Sequence, residues 1–83
     1  MMPTIAEFEG ITVKMYYNDH PPPHFHFEHG GDEAEMAIAT LDLLAGAPAP
    51  PVLRKVRQWA STRQGSLALN WVKCQSHVQP DKL

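Results

Sequence analysis

His24-Phe25-His26-Phe27-Glu28-His29, closed by Gly30-Gly31, is the stretch whose reading decides the fold. On a β-strand successive side chains point to opposite faces. Phe25 and Phe27 therefore share one face, and His24, His26 and Glu28 share the other. Burying each phenylalanine stabilises the fold by roughly 2–3 kcal/mol, which turns that face inward and the histidines toward solvent. Gly30-Gly31 is a hairpin turn signal, so a return strand follows over Ala34–Thr40 with Met36 and Ile38 on its apolar face. Upstream, Ile11-Thr12-Val13-Lys14-Met15-Tyr16-Tyr17 alternates in the same way and is rich in β-branched and aromatic residues. Between the two lies Asn18 to Pro23, a connection that its three prolines stiffen and bar from a sheet ladder. Thr4–Phe8 reads as an edge strand or extended arm that turns at Glu9-Gly10. Leu41–Leu44 fits either a short strand or a turn.

After Ala45-Gly46-Ala47-Pro48-Ala49-Pro50 the period changes. Val52, Leu53, Val56, Trp59 and Ala60 recur at three- and four-residue spacing, the apolar stripe of a helix that starts on Pro50 or Pro51. Gln64-Gly65 stops it, and Ser66 caps a second helix in which Leu67, Trp71 and Cys74 face the core. The pattern predicts an α+β fold: a small antiparallel sheet of three to five strands with two C-terminal helices packed on one face. It forms a single domain over residues 1–83, with the core spanning about 3–76 and residues 77–83 a frayed tail that includes His77.

With 83 residues and 43% hydrophobic content the chain makes one ordinary globular core. It has no apolar run of about 18 residues, so no membrane span is expected. Met1-Met2-Pro3-Thr4 has neither the basic nor the apolar region of a signal peptide. The lone Cys74 suits a reducing compartment, and the expected location is cytoplasmic. The net charge of −2 hides an asymmetry. Residues 1–42 carry eight acids against Lys14 alone, whereas residues 43–80 carry Arg54, Lys55, Arg57, Arg63 and Lys73 with no acid. Five cations make a weak footprint for nucleic acid, so attraction between the two halves of one fold is the better account.

The chemistry is concentrated in one place. Asp19, His20, His24 and His26 fall within eight residues, so three of the five histidines share one rigid connection and strand. Residues two apart on a strand lie about 6.5–7 Å apart at Cα, and imidazoles at that spacing can converge on one zinc at about 2.0–2.1 Å. His20, His24 and His26 are the candidate ligands of zinc or another divalent metal, with Asp19 as an alternative third donor. Three protein ligands and a water are the open arrangement of a catalytic site. The same residues also suit a purely structural or partner-binding role, because Asp and His before proline form turns and histidine is tolerated on exposed strands. The binding face on either account comprises Tyr16, Asn18, Asp19, His20, His24, His26 and Glu28. His29 falls on the phenylalanine side and reads as a turn residue.

The run Tyr17-Asn18-Asp19-His20, prolines and His24-Phe25-His26, followed by a glycine turn and tryptophan-bearing helices, resembles a family of small bacterial proteins catalogued as a domain of unknown function. The resemblance covers roughly Met2 to Cys74. Relatives of this kind resemble members of two-gene units, which implies a small protein partner encoded nearby and a toxin–antitoxin-like or regulatory pair. This chain departs from the family pattern by an extra proline, by His29 where tyrosine is common, and by helices poor in glutamate. The leading expectation is a binding module that engages such a partner, with nucleic acid a weaker ligand. The alternative is a metal-dependent hydrolase or nuclease that uses the histidine strand.

Overall fold

The computed structural model describes residues 3–83, so the leader reading of Met1-Met2 lies outside the described residues. Five strands form one sheet in chain order: β1 Thr4–Phe8, β2 Ile11–Lys14, β3 His24–His29, β4 Asp32–Ala37 and β5 Leu43–Ala45. Every neighbouring pair is antiparallel. Helices α1 Pro50–Ser61 and α2 Gln64–Gln75 follow. The α+β architecture expected from the alternation is the one observed.

The two tight hairpins, β1–β2 and β3–β4, each turn on two residues with positive φ. Glu9 and Gly10 lie at 49° and 77°, and Gly30 and Gly31 at 58° and 88°. That is the backbone of the tight turns whose twist matches paired strands. Because His29 pairs directly with Asp32, the return strand is Asp32–Ala37 rather than Ala34–Thr40. Past Ala37 the chain leaves the ladder: Leu41 takes φ 61° and its N–H bonds to the Ala37 carbonyl. The ambiguous Leu41–Leu44 thus divides into a turn and the start of β5.

Cross-strand register carries the core. Val13 faces Phe27, Phe27 faces Ala34, and Phe25 faces Met36. These side chains join Ile5, Ile11, Met15 and Ile38 under Val52, Val56 and Ala60 of α1 and Leu67, Trp71 and Cys74 of α2. Pro50 and Pro51 occupy the first helical turn of α1, where a missing N–H costs nothing. Trp59 is half-buried, stacked on Phe8 at 5.3 Å and edge-on to Phe25 at 6.1 Å.

Two expectations need correction. Ser66 does not cap α2, which begins at Gln64. The Gln64 amide donates to the carbonyls of Ile38 and Ala39 and so anchors the helix start to the loop after β4. Gly65 sits in the first turn, where backbone N–H groups lack intrahelical partners in any case. The tail is also not frayed. Asn70, 1% exposed, both donates to the Asp81 carbonyl and accepts from its N–H. Lys73 pairs with the Asp81 carboxylate at 2.7 Å, Pro80 is buried, and the Leu83 N–H donates to the Ile5 carbonyl on β1. His77 stacks on Tyr17 at 5.9 Å.

Candidate metal centre

The sheet's second face is where the structure departs most from expectation. Alternation does put His24 and His26 opposite the phenylalanines, yet they are only 2% and 7% exposed. The reason is a lid. The connection from β2 to β3 folds back over them, held by α2: the Asn18 N–H donates to the Cys74 carbonyl and the Gln75 amide donates to the Asp19 carbonyl. Tyr16 stacks on the His26 ring at 4.1 Å, and Trp71 lies 5.3 Å from His24. The face expected to be exposed is therefore a covered polar cluster.

Asp19 is its hinge point. Its Oδ2 lies 3.0 Å from Nε2 of His26 and 3.0 Å from Nε2 of His24. Its Oδ1 accepts the His20 backbone N–H at 2.8 Å and lies 3.0 Å from His20 Nδ1. Burial pushes the Asp19 carboxyl upward, but the hydrogen bonds from His26 and the His20 N–H, together with the neighbouring His24 and His26 imidazoles, outweigh it and hold it below its ordinary 3.8. A carboxylate depressed on folding contributes stability that is fully present above the unfolded value and lost as pH falls through the folded one. Asp19→Asn should therefore flatten the acid limb of a stability–pH profile below about pH 4. An unchanged acid limb would contradict this.

The proton positions in the histidines can be derived. His24 Nδ1 lies 2.7 Å from the Pro22 carbonyl oxygen, which can only accept, so Nδ1 carries the hydrogen. In the neutral ring Nε2 is then a bare lone pair. That atom is buried without a hydrogen bond: its 3.0 Å approach to Asp19 lacks the alignment of one, and Glu35 Oε1 stands 3.4 Å away. His26 Nδ1 is likewise buried and unbonded, with Glu33 Oε1 at 3.5 Å. Buried nitrogens left over in this way are expensive unless something satisfies them.

A cation does so. Donor atoms of Asp19, His24 and His26 lie within 4.8 Å of one another. Two ligands about 2.0–2.1 Å from a common ion at angles of 90–110° are roughly 2.9–3.4 Å apart, and the Asp19–histidine distances fall in that range. The surroundings also fit. Metal-bound histidines donate their other N–H to a carbonyl or carboxylate, and Pro22 and Glu33 are placed for those roles.

Of the residues anticipated as ligands, His24 and His26 converge, whereas His20 stands at the rim with its side chain 81% exposed and Asp19 takes the third place. Tyr16 covers His26 and donates to Glu33. Asn18 serves the lid through its backbone, and Glu28 pairs with Lys14 at 3.6 Å. Glu33 and Glu35 on β4 are the residues that the sequence reading missed. The Gly30-Gly31 hairpin carried the signal, because pairing His29 with Asp32 places both glutamates on the histidine face.

Fold and site together define a small α+β protein with a covered cluster of two histidines and one carboxylate. A family model described as Domain of unknown function (DUF4160) matches residues 10–72, and the chain belongs to that family. No curated protein and no solved structure matches it. Among the described residues no helix is long and apolar enough to cross a membrane.

Proposed function

We propose that this protein binds a divalent transition metal, zinc first among them, through Asp19, His24 and His26. The observation that carries this reading is the buried Nε2 of His24, which has no hydrogen-bond partner, is oriented by the Pro22 carbonyl and lies 3.0 Å from a carboxylate oxygen. Imidazole nitrogen and carboxylate oxygen are good donors for zinc, and three protein ligands leave a position for water. Such a water has a pKa of about 7 and is the usual nucleophile of metal-assisted hydrolysis. Titrating zinc into protein without a histidine tag tests the reading. One equivalent should bind to wild type and none to a His24→Ala/His26→Ala double variant, and equal uptake by both would remove the proposal.

A second reading, partner binding as one half of a two-gene toxin–antitoxin-like or regulatory pair, draws on a different surface. Leu69 and Val72, three residues apart on α2, are 54% and 60% exposed. An apolar pair on one helix face suits a protein contact.

Nucleic acid is disfavoured as the partner. Lys55 pairs with Glu9 at 3.3 Å, Lys73 with Asp81, Arg57 donates to the Leu41 carbonyl, and Arg63 lies over Trp59 at 5.1 Å. Four of the basic half's five cations are thus occupied within the fold. Generic duplex DNA should bind no tighter than about 10⁻⁴ M at physiological salt. Tight binding with a steep salt dependence in a fluorescence anisotropy titration would overturn this.

A further inference from the structure

We infer that the exchangeable position of the metal takes an uncharged donor, such as water, an amine, an imidazole or a carbonyl oxygen, and rejects phosphate. The inference rests on the metal reading above and narrows the class of ligand or substrate that the centre admits.

The first ground is access. His24 is 2% exposed and Asp19 14% at their side chains, with the Tyr16 ring lying over His26 and Trp71 beside His24. The solvent-facing groups around the cluster are His20, 81% exposed, Glu33, 46%, and Glu35, 31%. A ligand approaching the metal therefore passes two carboxylates and one imidazole.

The second ground is charge. Asp19 and one rim glutamate neutralise a divalent ion, and the other glutamate leaves the centre net negative. Both rim carboxylates lie close to the ligand histidines, Glu35 Oε1 at 3.4 Å from His24 Nε2 and Glu33 Oε1 at 3.5 Å from Nδ1 on the far side of the His26 ring. Lys14, the cation next along this face, is already paired with Glu28. Beyond the metal itself, many sites that handle phosphate add Arg, Lys or helix N-termini where the anion's charge falls. Here the equivalent positions carry acids, and repulsion at this range in a partly dry setting is not screened away by salt.

Cobalt(II) in place of zinc makes the experiment readable, because its visible absorption reports changes in coordination. The full chain, loaded with one equivalent of cobalt, is titrated separately with imidazole and with inorganic phosphate at pH 8. Imidazole should alter the spectrum at a concentration at least roughly tenfold below any phosphate response, a discrimination of about 1.4 kcal/mol. A Glu33→Gln/Glu35→Gln variant should gain a phosphate response by about the same factor. Equal responses to the two probes in wild type, or a variant as indifferent to phosphate as wild type, would overturn the inference while the metal reading stands. Failure of wild type to take up cobalt would remove both together.

Discussion

Replacing Phe27 with alanine should lower the free energy of unfolding by about 3–5 kcal/mol, among the largest costs a single core truncation produces. Phe27 is 1% exposed, sits in register between Val13 and Ala34, and tilts against Phe25 at 6.3 Å. Both flanking strands and α1 close over it, because Val52 and Val56 belong to the same buried cluster. The cavity cannot be filled by moving one neighbour without disturbing another strand. A domain of this size has about 5–10 kcal/mol of stability in all, so the variant should be half-unfolded under mild denaturant. Urea denaturation of wild type and variant checks this, with the midpoint falling and the slope unchanged. A loss below about 1.5 kcal/mol, typical of a volume-conserving core change, would show that the site relaxes far more easily than its packing implies.

The legible and illegible parts of this molecule divide along a physical line. Phe25 and Phe27 were legible because a strand has two faces and only one arrangement buries both rings. The helix stripe of Val52, Val56 and Ala60 was legible for the corresponding reason at a period of 3.6. Local pattern also brought His24 and His26 to one side. What it could not reveal was that this side is roofed. The roof depends on the Asn18 and Asp19 backbone meeting Cys74 and Gln75, contacts between residues 56 positions apart in the chain. No period in the sequence encodes such a contact. The tail was misread for a similar reason: a polar Asn70 on the inner face of α2 looks like a packing defect until Asp81 arrives to satisfy it. Glu33 and Glu35 lie between these cases. The strict two-residue hairpin was enough to pair them with β3, but starting the return strand at Ala34 separated Glu33 from the ladder.

Zinc at a hundredfold excess over its dissociation constant should raise the stability of the protein by about 2.7 kcal/mol relative to protein in chelator. For a domain of this length that corresponds to a rise in melting temperature of roughly 10–20 °C. The gain requires that only the folded chain binds, and this holds because the ligands lie on both sides of a connection. Asp19 belongs to the lid and His24 and His26 to β3, so one ion fastens the lid to the sheet and, through Gln75 and Cys74, to the end of α2. Asp19→Asn should abolish most of the zinc-dependent gain, on top of the modest fall in metal-free melting temperature near pH 7 that comes from losing the depressed carboxylate. The amide oxygen can still accept the His20 N–H and the buried apolar core is untouched. The zinc-dependent part should also weaken as the pH is lowered, since ligation needs unprotonated imidazoles and metal uptake must then displace protons. Scanning calorimetry of both proteins with zinc and with chelator separates these terms. An equal rise in the Asp19→Asn variant would place the bound ion elsewhere, at an exposed histidine such as His29 or His77, and would dismiss the covered cluster as the metal centre.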